Sequence, residues 1–231
     1  MANSTFSGPV RSRNGFKVIS ENSTTGEISD NSGSSVSTRD TRRYYLDEYW
    51  NQKPALNAAI AIAYNLDFEV LGTNMTTALV TFDSDRAGLT ITTAGADQDQ
   101  SIILPHLDTN QTAWTGAGWG TENQVEWECA ISTNAIDNQK IWAGLKLTND
   151  QLIATDADQA FFKFQTDATN SEAFTDYTLL HFVHSIGGTD YISALPITVA
   201  ANTLYRLAIK IDSNRKASIF VNGIQYNVTT T

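Results

Sequence analysis

Leu204-Tyr205-Arg206-Leu207-Ala208-Ile209-Lys210-Ile211-Asp212 alternates in polarity, and beyond the turn Ser213-Asn214-Arg215 comes a second such run, Lys216-Ala217-Ser218-Ile219-Phe220-Val221-Asn222-Gly223-Ile224-Gln225-Tyr226. A period of two sends successive side chains to opposite faces of a strand. Two such runs joined by a short polar turn predict an antiparallel hairpin. Asn222-Gly223 predicts a second tight turn, because both residues accept the positive φ of a type I′ turn.

Upstream the same signature repeats from about residue 67. Apolar or alternating runs cover 68–71, 78–82, 89–93, 102–104, 125–131, 141–147, 160–165, 179–184 and 191–195. Turn residues separate them, including Asp83-Ser84-Asp85, Ala94-Gly95-Ala96-Asp97, Thr148-Asn149-Asp150 and Gly187-Gly188. Residues 56–63 fit a helical turn, but their alternation of Ile with Ala also suits a strand, which is the preferred reading. Short strands at this spacing, with almost no helical period, predict an all-β sandwich, and roughly a dozen of them fit a two-sheet jelly roll. The closing hairpins, an apolar strand ending in Asp212 and another ending Phe220-Val221-Asn222-Gly223, resemble those of concanavalin-like and laminin-G-like β-sandwiches. The resemblance implies a concanavalin-like jelly-roll sandwich over residues 51–231. It names no activity, since sandwiches of this kind act as lectins, glycosidases and virion proteins.

Residues 1–50 have a different character. Ser23-Thr24-Thr25-Gly26 and Asn31-Ser32-Gly33-Ser34-Ser35 are polar and of low complexity, and apolar residues are sparse. Such a segment buries too little surface to offset its ordering entropy alone, so an extended arm held by a partner is expected. Lys17–Ser20 and Glu27–Ser29 are predicted to pair as a small ribbon around the intervening turn. Tyr44, Tyr45, Tyr49 and Trp50 form the densest aromatic cluster of the chain. They are read either as a docking surface or as a plug at one end of the sandwich.

Charge divides along the same line. Of 231 residues, 15 are basic and 25 acidic, a net charge of −10. Residues 1–49 hold six of each sign, leaving nine basic and nineteen acidic groups beyond them. The acidic part repels nucleic acid and anionic membranes, so neither is an expected partner. The charged fraction, 17%, lies below the ~25% of an average domain. The opening Met1-Ala2-Asn3-Ser4-Thr5 has neither a basic n-region nor an apolar h-region, so synthesis in a cytosol is expected. One cysteine excludes an intrachain disulfide, and alternation places Cys129 beside Val125 and Trp127 as a buried, inert thiol.

Chemistry-bearing patterns are few. Glu126 and Glu128, at i and i+2 of one predicted strand, share a face. Concanavalin-like glycosidases carry a third carboxyl at i+4, and the groups at i and i+4 do the chemistry; here the third position is Ala130, and no catalysis is expected. Asp83/Asp85, Asp97/Asp99 and Asp156/Asp158 are spaced as hard oxygen ligands. Asp156 and Asp158 are the best of these for calcium, which laminin-G-like domains often hold. His181 and His184 fall on opposite faces of one strand, which argues against joint ligation of a metal. Trp114 and Trp119 sit in a Gly-rich loop where aromatic rings could stack on a sugar.

The run Ser4-Thr5-Phe6-Ser7-Gly8-Pro9-Val10-Arg11-Ser12-Arg13-Asn14-Gly15-Phe16-Lys17 resembles the opening of small structural proteins of marine tailed phages, notably cyanophages. The resemblance implies a virion protein made in the host cytoplasm, most simply a capsid decoration (cement) protein on the head surface. Its arm would grip the major capsid protein through Phe6, Pro9, Val10, Arg11, Arg13 and Phe16, with Tyr44, Tyr45, Tyr49 and Trp50 at the junction. Its other partners would be copies of itself; decoration proteins often form trimers, though no feature of this sequence requires one. A virion-borne module that binds a host-surface glycan, or a head or tail fibre component, is the alternative.

Overall fold

The computed structural model describes residues 19–21, 24, 28–30, 48–53, 56–57, 68–83, 88–105, 125–146, 148, 150, 152–167, 172 and 174–229. The chain divides into two compact units, Met1–Tyr45 and Leu46–Thr231. In the first, β1 (Ile19–Glu21) pairs antiparallel with β2 (Ile28–Asp30), with Ser20 opposite Ser29. This is the predicted ribbon.

Among the described residues of the second unit, the regular structure is nearly all β. The strands are β3 (Leu56–Asn57), β4 (Phe68–Leu71), β5 (Val80–Asp83), β6 (Gly88–Ile91), β7 (Ile102–Pro105), β8 (Glu126–Ile131), β9 (Lys140–Leu145) and β10 (Gln159–Gln165). Then follow β11 (Leu179–Ile186), β12 (Thr189–Thr198), β13 (Tyr205–Ile211), β14 (Ala217–Val221) and β15 (Ile224–Tyr226). The only helical pieces among the described residues are 3-10 turns at Thr77–Leu79 and Ile153–Thr155. The first takes the start of the strand expected at 78–82, because Leu79 N–H donates to the Thr76 carbonyl at 3.0 Å instead of joining a ladder.

Two four-stranded antiparallel sheets dominate, in the orders β12-β11-β10-β9 and β15-β14-β13-β8. Each is mostly a meander, and the chain changes sheet between β8 and β9 and again between β12 and β13. The predicted β13–β14 hairpin forms, pairing Leu207 with Val221 and Ile211 with Ala217. Asn222 and Gly223 take φ values of 52° and 80°, the two positive dihedrals of a type I′ turn. Asn222 also ties this turn to β13. Its N–H donates to the Arg206 carbonyl at 2.8 Å, and its Oδ1 accepts from Arg206 N–H at 2.9 Å.

The sheets share one core. Ala160, Phe162, Phe164, Leu180, Phe182 and Leu195 come from one sheet; Leu207, Ile209, Ile211, Ile219 and Val221 come from the other. Phe162 and Phe182 are cross-strand partners whose rings meet edge-on at 5.4 Å. Burial of one such side chain stabilises by about 1.5–3 kcal/mol, so this cluster fixes how the sheets pair. Between residues 48 and 105 lie two smaller sheets, β3-β4-β7 and β5-β6, where Phe68, Val70 and Val80 are buried. β3 and β4 run parallel.

Candidate functional site

Alternation along β10 sends Ala160, Phe162 and Phe164 into the shared core and turns Gln159, Phe161, Lys163 and Gln165 to the opposite face. All seven are buried, so this outer face is covered as well. A second apolar cluster explains the cover. Ile153, from the β9–β10 connection, and Phe174, from the β10–β11 connection, pack on Phe161 and Val183, with Trp142 alongside. Across three strands Trp142, Lys163 and His181 stand in one row, since Lys163 pairs with both.

Burying polar side chains on this face demands partners. Lys146 Nζ lies 3.1 Å from Asp156 Oδ2 and donates to Gln159 Oε1 at 2.8 Å. It also sits 4.9 Å from the centre of the Phe161 ring. Gln159 Nε2 donates to the Ile153 carbonyl at 2.6 Å and to Ser185 Oγ at 2.8 Å, and Ser185 Oγ donates to Asp190 Oδ1 at 2.6 Å. This continuous chain fastens the β9–β10 connection to the sheet.

The second polar group centres on Lys163, almost wholly buried and ion-paired with Glu172. Desolvation pulls the Lys163 ammonium below its ordinary pKa, against the opposing pull of Glu172. The other Glu172 oxygen accepts from Ile153 N–H at 2.8 Å, and the Glu172 carbonyl accepts from Gln165 Nε2 at 3.0 Å. The Phe174 ring stacks on His181, centroids 4.0 Å apart and planes inclined by 17°. His181 Nδ1 lies 3.0 Å from the Leu179 carbonyl, which can only accept, so Nδ1 carries the proton and Nε2 is a bare acceptor. That Nε2, Gln165 Oε1 and both ring nitrogens of His184 are buried without a hydrogen-bond partner among the described residues. Burial pushes the pKa of both histidines down.

The residues singled out in the sequence lie elsewhere or play other parts. Glu126 and Glu128 are exposed on the outer face of β8, and Glu126 meets Lys210 at 3.3 Å. Asp156 is bound to Lys146, while Asp158 faces Arg215 Nη1 at 3.2 Å and accepts from Gly187 N–H at 3.1 Å. The two carboxylates thus serve separate cations. Asp99 closes its own turn, accepting from Ala96 N–H at 2.7 Å. No group of three or more metal-ligating side chains gathers among the described residues. His181 and His184 do occupy opposite faces of β11, one under Phe174 and the other beside Phe182. Cys129 is half-buried rather than buried, with its thiol pKa raised by desolvation. Tyr49 is 71% exposed, whereas Trp50 is half-buried and packs on Phe68 at 4.7 Å. Phe6, Pro9, Val10, Arg11, Arg13, Phe16, Tyr44, Tyr45, Trp114 and Trp119 lie outside the described residues.

No family model, curated protein or solved structure matches this chain. No helix of the described residues is long and apolar enough to cross a membrane.

The Lys163–Gln165–His181 grouping escaped sequence reading. Its one available signal was the polar alternation inside Gln159–Gln165, which imitates a half-exposed strand.

Proposed function

We propose that this chain is a structural protein of a phage virion, a decoration protein whose N-terminal unit grips the head and whose β-sandwich is displayed outward. The observation that carries the reading is the division of the chain after Tyr45, which leaves the run 4–17 that resembles phage structural proteins in a unit apart from the β-rich one. A docking unit joined to a separately packed sandwich is what a clamp requires. The order of the two main sheets is compatible with a concanavalin-like jelly roll in which the second unit is the displayed body. The use of Lys146, Asp156 and Glu172 in fastening connections to a sheet favours a load-bearing role over catalysis. On this reading the partners are the major capsid protein and further copies of the chain, on the capsid surface. Extended arms reach such partners by adding main-chain hydrogen bonds to exposed sheet edges.

Co-sedimentation with undecorated phage heads tests the proposal. The full chain is expected to pellet with heads, and a chain of residues 44–231 to stay in solution. Equal binding by both would overturn the role of the arm, and binding by neither would overturn the virion assignment.

A further inference from the structure

Asn222 and Gly223 close the hairpin between β14 and β15, and both are exposed to water. Asn-Gly is the dipeptide whose side-chain amide is most open to attack by its own backbone, because glycine leaves the attacking nitrogen unshielded. The chain holds two such pairs, Asn14-Gly15 and Asn222-Gly223. At the hairpin, geometry holds the attack back. The ring that must close contains Gly223 N and the carbonyl carbon, Cα, Cβ and Cγ of Asn222. It needs Cβ and Gly223 N on the same side of the Cα–C bond. A type I′ turn sets ψ of its first central residue at about +30°, which places those two atoms nearly opposite each other. Asn222, with φ of 52° ahead of Gly223 at 80°, holds that position. It is also tied to β13: Oδ1 accepts from Arg206 N–H at 2.9 Å, and its own N–H donates to the Arg206 carbonyl at 2.8 Å.

We propose that Asn222 is a self-modification site, at which opening of the β14–β15 tip lets the chain convert this asparagine to aspartate and isoaspartate. The Gly223 nitrogen loses its proton to water and attacks Asn222 Cγ. The new N–Cγ bond forms, the Cγ–Nδ2 bond breaks, and Nδ2 takes up a proton and leaves as ammonia. The product is a cyclic imide. Water then opens it at one of its two carbonyl carbons. Cleavage of the N–Cγ bond gives aspartate with the main chain restored. Cleavage between the nitrogen and the original main-chain carbonyl gives isoaspartate, with the main chain rerouted through Cβ and Cγ. Nothing is oxidised or reduced, and water is the only co-reactant.

The two products differ in what they do to the fold. Aspartate keeps an acceptor for Arg206 N–H. Isoaspartate adds a methylene to the main chain, so the two-residue turn cannot re-form and the tip stays released from β13. The rate is set by how often the tip opens. A tip open in about one molecule in ten slows conversion about ten-fold relative to the unfolded chain. The inference is independent of the arm-docking reading, because it concerns one hairpin and is measured without phage heads.

The test is incubation of the full chain at mildly alkaline pH, folded in buffer and unfolded in guanidinium chloride, followed by peptide mapping. Mass spectrometry reads the gain in mass as the amide becomes an acid, and chromatography separates the aspartyl from the isoaspartyl peptide. Asn222 is expected to convert in both states, about ten-fold or more slowly when folded. Tyr226 pairs with Ile219 and packs against the core, so Tyr226→Ala loosens β15. It should raise the folded-state rate at Asn222 about five-fold and leave the rate in guanidinium unchanged. Ile224, 60% exposed, offers a second variant: Ile224→Gly loosens the tip without touching the core, so a folding failure of one variant leaves the other as the test. Asn14 is the internal control for the chemistry, and its rate should be the same in all three chains. Equal rates at Asn222 in the folded and unfolded chain overturn the gating. So does a folded-state rate that neither variant changes. Absence of conversion at Asn222 in the unfolded chain overturns the site itself.

Discussion

Lys146 Nζ and Asp156 Oδ2 lie 3.1 Å apart with side chains only 6% and 2% exposed, and they join a connecting segment to the sheet it covers. A buried pair is held at a cost in desolvation, so its net contribution is small while intact. Removal of one partner is different, because it strands the other charge in the interior. Asp156→Ala is therefore expected to destabilise the sandwich by about 3–5 kcal/mol. The double variant Lys146→Met/Asp156→Ala should recover much of that loss. Urea unfolding of the two variants measures this, and a double variant less stable than Asp156→Ala would refute the argument.

Gly144 predicts a second sensitive point. Its φ is +148°, and a Cβ built there would stand 2.6 Å from the Ala160 carbonyl oxygen and 2.6 Å from the Phe161 Cα. Both obstacles are backbone of the paired strand and cannot swing aside. Gly144→Ala should cost at least about 2 kcal/mol, since strain and displacement of β10 add. Thermal unfolding monitored by circular dichroism gives the value; an unchanged midpoint would count against this geometry.

Stability should depend on pH through His181 and His184. Burial lowers both pKa values in the folded protein, while the unfolded chain titrates at about 6.5. Between the lowered values and 6.5 the unfolded state binds more protons. Stability is thus fully present above about pH 6.5 and falls as pH drops below it, with a slope of about 1.4 kcal/mol per pH unit for each histidine. Urea midpoints at pH 7.5, 6.5 and 5.5 should fall progressively only below the middle value, and His181→Gln/His184→Gln should flatten the profile across that window. A profile that stays steep in the double variant would assign the effect to other groups.

The shared core leaves room at one end. A cavity of about 40 Å³ is lined mainly by apolar side chains, among them Ile131, Ile141, Ala143, Phe164 and Leu207. Ala143→Val adds two methyl groups toward this space on a strand, where a β-branched residue fits. The expected gain is about 0.5–1 kcal/mol, read as a higher urea midpoint at unchanged m-value. A loss of stability would mean that the neighbouring rings cannot accommodate the added volume.

Much of the all-β character was legible because alternation is a local property. The runs 204–212 and 216–226 carried their own strand period, and Asn222-Gly223 carried its own turn chemistry, so the hairpin formed as read. The start of the strand expected at 78–82 was misread because Ala78 and Leu79 suit a strand or a tight turn equally, and two backbone bonds, Leu79 N–H to the Thr76 carbonyl and Val80 N–H to the Thr77 carbonyl, close a 3-10 turn there.

The polar face shows where such reading stops. In Gln159-Ala160-Phe161-Phe162-Lys163-Phe164-Gln165 the sequence determined that one face would be apolar and the other mixed, because the strand period is two. It did not reveal that the mixed face would be buried. That depended on Ile153, Glu172 and Phe174 arriving from two separate connections and on β9 and β11 bringing Trp142 and His181 alongside Lys163. Burial changes what these groups do: an exposed lysine is merely solvated, whereas an enclosed one needs a carboxylate and loses basicity. Composition, strand period and turn chemistry thus lay in the chain itself. Which polar groups would be enclosed together was decided only by long-range packing, since contacts between residues far apart in sequence leave no local period to read.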